Sequence, residues 1–176
     1  MDLVRDMYPE VPAVYVDTGL EYPEIKDFVK TMENVTILRP KLTFRQVIEK
    51  YGYPVVSKKQ ASNIYKLRNN NLSDEYRNEI LNGGPKGSYG KLPEKWKILL
   101  DAPFEVSDAC CDVMKKRPLH KYRKETGASN IVGTMAEESS IRMNSWMQHG
   151  CNAFDKKEPQ SRPLSFWSTS DVLEYI

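Results

Sequence analysis

Ala13-Val14-Tyr15-Val16-Asp17-Thr18-Gly19-Leu20-Glu21-Tyr22-Pro23-Glu24 is the stretch on which the fold turns. Its first four residues are apolar and β-prone, and they read as a short buried strand. Asp17, Thr18 and Gly19 make a turn. From Glu21 to Glu33 the residues Ile25, Phe28, Val29 and Met32 share one face, the pattern of an amphipathic helix. A carboxylate, a hydroxyl and a glycine thus meet where a strand ends and a helix begins. Gly19 permits close backbone approach to a ligand, and the helix start offers unpaired amides. The competing reading is an ordinary strand-to-helix turn in which Asp17 or Thr18 bonds locally.

Outward from this turn, strand and helix alternate. Val35 to Leu38 is a second strand. Thr43 and Gln46 form a capping box ahead of the face Phe44, Val47, Ile48 and Tyr51. Ser57 to Arg68 reads as a helix through Ala61, Ile64 and Tyr65, and Asn130 to Thr134 as another buried strand. This order implies an α/β fold with a mostly parallel sheet. Ligands in such folds lie beyond the carboxyl ends of the strands, where the turns after Val16 and after Gly133 fall. Asn69 to Asn71 is a polar break. Gly84-Pro85-Lys86-Gly87-Ser88-Tyr89-Gly90-Lys91 imitates a phosphate loop, but five residues separate Gly84 from Gly90 and Leu92 follows the lysine. It reads as a surface loop.

Both ends are expected to be incomplete. Leu3, Val4 and Met7 share a helical face that Pro9 stops at once, as in the tail of a longer helix. Ser168 and Asp171 cap a helix whose face, Val172, Tyr175 and Ile176, is begun and not finished. Residues 1–176 therefore read as a single partial domain.

Composition narrows the classes. The 176 residues suffice for one hydrophobic core, with 40% hydrophobic and 28% charged residues. A net charge of +2 gives no electrostatic argument for a nucleic-acid or membrane partner. No apolar run nears the roughly 18 residues of a membrane span, and no secretory signal pattern follows Met1, so the cytoplasm is the expected compartment. Cys110, Cys111 and Cys151 are odd in number, which argues against a disulfide framework. The adjacent pair rarely bonds to itself; it is either packing or a pair of metal ligands.

Four segments in order carry a resemblance. Val16-Asp17-Thr18-Gly19-Leu20-Glu21-Tyr22-Pro23-Glu24 is the first. Cys110-Cys111-Asp112-Val113-Met114-Lys115-Lys116-Arg117-Pro118-Leu119 is the second, and Gly133-Thr134-Met135-Ala136-Glu137-Glu138-Ser139, with Arg142 just after, the third. Arg162-Pro163-Leu164-Ser165-Phe166-Trp167 followed by Asp171-Val172-Leu173-Glu174-Tyr175-Ile176 completes the set. Together they resemble the phosphoadenosine-phosphosulfate (PAPS) reductase family of the adenine nucleotide alpha-hydrolase-like superfamily. The region from about Asn69 to Phe104 matches none of its motifs. The family's Ser-Gly-Gly-x-Asp-Ser phosphate loop has no counterpart here. Met135 stands where many members carry arginine, and Met114 replaces a basic residue.

The resemblance implies a sheet of order 3-2-1-4-5 whose central first strand and phosphate loop this chain lacks. The Ala13–Val16 strand would then lose a neighbour, and the chain alone would be poorly stable or completed by further sequence. It also implies binding of ATP or PAPS, with reduction of a PAPS- or adenosine-phosphosulfate-type substrate, release of sulfite and a thiol reductant protein as partner. Relatives that insert sulfur at the expense of ATP, in nucleic-acid thiolation or DNA phosphorothioate modification, give the alternative, and only there is nucleic acid a partner. A degenerate, non-catalytic nucleotide-binding domain is the third reading.

By the same resemblance Asp17, Thr18, Gly19, Lys115, Gly133, Glu138, Ser139 and Arg142 face the nucleotide or substrate. Cys110 and Cys111 match the first ligand pair of a [4Fe-4S] cluster in the full-length parent. Zinc held by Cys110, Cys111, His149 and Cys151 suits the ligand types but not the spacing. Structural readings stand beside these: Lys115 on a solvated helix face, Ser139 or Glu138 capping a helix, Arg142 on the surface. His120 and His149 match no motif, and Trp167 reads as core.

Overall fold

A computed structural model describes residues 2–85, 90–154 and 158–176. The chain is mixed α/β. Its elements are α1 (Asp2–Met7), β1 (Ala13–Val16), α2 (Pro23–Lys30), β2 (Val35–Leu38), α3 (Phe44–Tyr51), α4 (Lys58–Asn69) and α5 (Asp74–Asn82). After a 3-10 helix (Glu94–Asp101) come α6 (Ala109–Cys111), a π-helical turn (Asp112–Lys116), α7 (Arg117–Thr126) and β3 (Asn130–Ile131). A 3-10 turn (Ala136–Glu138), α8 (Ser140–His149), β4 (Asn152–Ala153), β5 (Gln160–Ser161) and α9 (Thr169–Tyr175) complete the order. No helix among the described residues is long and apolar enough to cross a membrane. The chain divides into two compact units, one of Pro12–Lys121 and one of Met1–Val11 with Tyr122–Ile176.

In the first unit β1 and β2 pair in parallel, with Ala13 opposite Val35 and Val16 opposite Leu38. Among the described residues this sheet has two strands, so β1 has a ladder partner there on one side only. All four β1 residues are half-buried rather than buried, which corrects the expectation of an enclosed strand.

The helix read as Glu21 to Glu33 is shorter, Pro23–Lys30. Pro23 presets its first turn, while Glu21 is drawn back to Thr18. At the far end Thr31 and Met32 donate three residues back, to Phe28 and Val29, and Asn34 turns at φ 48°. The apolar face does not pack inward as its periodicity suggests: Phe28 is 62% and Ile25 46% exposed, and α2 buries no residue.

Two apolar clusters hold this unit. Val47 of α3 packs with Val113 and Met114 of the π turn, joined by Cys110 and Tyr51. Met114 is therefore a core residue. Ala61, Ile64 and Leu67 of α4 pack with Ile80, Leu92 and Val106. The second cluster organises much of the motif-free stretch. Tyr53 seals it to Val106 by a parallel bridge, accepting from Ser107 N at 3.1 Å and donating to Glu105 O at 2.8 Å. Residues 86–89 of the glycine-rich Gly84–Lys91 stretch lie outside the described residues.

In the second unit β3, β5 and β4 form a small sheet in that order, β3–β5 parallel and β4–β5 antiparallel. The strand expected over Asn130 to Thr134 is only Asn130–Ile131. Its partner β5 is two residues long, and after Val132 N donates to Ser161 O the ladder has nothing further to pair with. Ile131 is 49% exposed, so this strand is not buried either. Among the described residues the five strands thus lie in two separate sheets rather than the single order 3-2-1-4-5. Trp167, half-buried, meets Tyr175 edge to face at 5.7 Å, and Tyr175 donates to Asp2. The buried side chains among the described residues of this unit are Ala136, Ala153 and Ser165.

Candidate functional site

The turn after β1 is closed upon itself. Gly19, at φ 83°, donates its amide to Asp17 Oδ1 at 3.1 Å. The buried Thr18 donates its hydroxyl to Glu21 Oε1 at 2.6 Å and its amide to Oε2 at 3.0 Å, while Leu20 donates to Thr18 Oγ1. The amides of Thr18, Gly19 and Leu20 are therefore all engaged. Outside them lie two cations: Lys26 Nζ at 2.9 Å from Asp17 and Arg39 Nε at 3.6 Å. The hydrogen bond from Lys26 holds the Asp17 carboxyl below the usual carboxylate range, against the upward push of burial, with help from Gly19 N and Arg39. Burial pushes Glu21 up, but the bonds from Thr18 outweigh it and its carboxyl too is lowered. Sequence patterns singled out Asp17, Thr18 and Gly19 but not Lys26 or Arg39.

Cys110 and Cys111 end α6, where the helix widens into a π turn. π turns within helices recur at functional sites. Both thiols are free and half-buried. Lys115 sits exposed on the π turn. Next to it Arg117 donates to Asp112 Oδ2 at 2.8 Å and lies over the Tyr51 ring at 5.9 Å. The bond from Arg117, with Lys50 nearby, holds the Tyr51 phenol below its ordinary range.

A four-iron cluster takes four thiolates. Cys110 and Cys111 are two, and no group of three or more His, Cys, Asp or Glu side chains among the described residues is arranged to hold a metal ion. The described residues thus do not by themselves fit the cluster. Of the zinc set, Cys110 and Cys111 lie in one unit, His149 and Cys151 in the other.

In the second unit the motif Gly133 to Ser139 folds against the segment Arg162 to Ser165. Ala136 N donates to Ser165 O at 2.9 Å. Met135 N donates to Glu138 Oε1 at 2.7 Å, and Glu138 also pairs with Arg142. Ser139 caps α8 by accepting from Arg142 N at 3.3 Å. Glu137 accepts from Thr169 N at 2.6 Å and so fastens the start of α9. Gly133 is exposed just before the motif's buried part.

Between these segments lies a cavity of about 220 Å³. Thr134, Met135, Arg142, Ser145, Gln160 and Arg162 contribute to its lining. Arg162 is held in the wall by Ser145 Oγ at 2.7 Å and Gln160 Oε1 at 3.5 Å, both accepting from its guanidinium. No carboxylate neutralises Arg162 among the described residues, whereas Arg142 is paired with Glu138. Arg162, Ser145 and Gln160 were not singled out from sequence. Arg162 stood at the edge of a quoted motif, but its two partners carry no signature.

Comparison with models of protein families finds no matching family, and comparison with curated proteins finds no match.

Proposed function

We propose that this chain is a PAPS reductase-family protein on an adenine nucleotide-binding fold. In this reading it binds an adenine nucleotide or sulfonucleotide and serves reduction of a PAPS- or adenosine-phosphosulfate-type substrate with release of sulfite. The observation that carries the reading is the cavity in the second unit. Two motifs distant in sequence, Gly133–Ser139 and Arg162–Ser165, supply its wall together, with two arginines in the lining. A space of about 220 Å³ has room for a phosphate, sulfate or phosphosulfate group.

Guanidinium groups suit such anions because their planar donors bind two oxygens at once. Met135 brings no charge to the wall, but Arg162 does, and its fixed contacts with Ser145 and Gln160 preorganise it. Glu138 holds Arg142, which also lines the cavity. In the other unit Asp17, Thr18, Gly19 and Lys115 are proposed as nucleotide or substrate contacts on the resemblance alone, with Lys26 and Arg39 beside Asp17. In this reading Cys110 and Cys111 would be one ligand pair of a [4Fe-4S] cluster in a longer parent protein.

The test is incubation with PAPS plus thiol reductant in parallel with ATP. Release of sulfite from PAPS supports the reductase reading. Release of pyrophosphate from ATP instead moves the chain to ATP-dependent sulfur insertion. Binding of either nucleotide without product leaves a nucleotide-binding module, and binding of neither overturns the proposal.

A further inference from the structure

A larger cavity, of about 450 Å³, lies in the unit Pro12–Lys121, within the stretch that carries no motif. Leu67 and Arg68 reach it from the last turn of α4, Arg77 and Leu81 from α5, and Leu100 and Asp101 from the end of the 3-10 helix Glu94–Asp101. Its size falls in the range of small-molecule sites, and its exposed lining is more polar than apolar.

The charges around it are unequal in freedom. Arg68 is 19% exposed and already committed, donating to Phe104 O at 2.7 Å and to Glu105 Oε1 at 3.3 Å. Glu105 neutralises it. Arg77 makes one long bond, from Nη2 to Leu67 O at 3.4 Å, at the end of α4 where helix carbonyls lack partners. Neither Arg77 nor Asp101 forms an ion pair among the described residues. Three leucines therefore line a space that has a cation and a carboxylate of its own still unpaired.

A ligand complementary to that set carries both charges and an apolar body. We propose that this cavity binds a free α-amino acid with a large apolar side chain. Arg77 takes its carboxylate, Asp101 its ammonium group, and Leu67, Leu81 and Leu100 its side chain. The proposal does not depend on the nucleotide reading.

Calorimetric titration of the full chain with L-tryptophan, tryptamine and indole-3-propionate tests it, because the last two each lack one of the charges. L-Tryptophan is expected to saturate the protein at about 1 mM or below, with each single-charge probe weaker by about tenfold or more. Arg77→Gln is expected to bring L-tryptophan down to the level of tryptamine, and Asp101→Asn down to that of indole-3-propionate. Both residues are exposed, and circular dichroism checks that the variants fold. Should a variant fail to fold, the three probes on the unaltered chain still decide. No binding of L-tryptophan, or a single-charge probe that matches it, overturns the proposal.

Discussion

Asp17 holds two cations and one amide at the end of β1, and its charge is part of what keeps the turn in shape. Its folded-state pKa lies below the ordinary value of about 3.9. The stabilisation is therefore complete above about pH 4 and is lost as pH falls through the lowered folded value. Asp17→Asn is expected to cost about 0.5–1 kcal/mol at pH 7, with the difference from the unaltered chain shrinking in denaturant titrations below about pH 4. Gly52 is constrained more severely. Its φ is 99°, and a Cβ there would stand 2.5 Å from the backbone carbon and oxygen of Glu105. Gly52→Ala is expected to destabilise the chain by about 2–4 kcal/mol, read by urea denaturation, because strain and clash add. The Asp17-Thr18-Gly19 turn was legible in sequence because its bonds are local. Lys26 and Arg39 were not, because they reach Asp17 only once α2 and the β1–β2 pair have formed.

Helix starts were the most readable elements. The Thr43–Gln46 and Ser168–Asp171 capping boxes form as their spacing implies, since both partners lie within one turn. Ser139 likewise accepts from Arg142 N and caps α8. Ser139→Ala is expected to lower stability by about 1 kcal/mol while leaving nucleotide affinity within about twofold, measured by thermal melting and by titration with PAPS. A tenfold loss of affinity would assign the hydroxyl to the ligand instead. Element lengths and burial were less readable. β3 stops where β5 runs out of partners, and α2 exposes the face its periodicity would bury, because both outcomes depend on residues far along the chain. The π turn after Cys111 likewise has no sequence signature, although it is where Val113 and Met114 enter the core.

At the scale of the molecule, the mixture of helices and short parallel strands follows from the β-α-β pattern, but the division into two sheets does not. Pairing between strands is set by contacts that periodicity alone does not encode. The candidate site shows the same limit. Gly133, Glu138, Ser139 and Arg142 were legible as a motif, but of these only Arg142 lines the cavity, and Arg162 gains its meaning only from sharing that cavity with Arg142. The central claim is that this cavity receives the anionic group of an adenine sulfonucleotide. Equilibrium titration of PAPS against the unaltered chain, Arg142→Gln and Arg162→Gln tests it most directly. Each charge-assisted bond lost is worth about 1.5–3 kcal/mol, so affinity is expected to fall about tenfold or more in each variant, the larger loss at Arg162. Failure of the unaltered chain to bind PAPS, or equal affinity in all three proteins, would contradict the account.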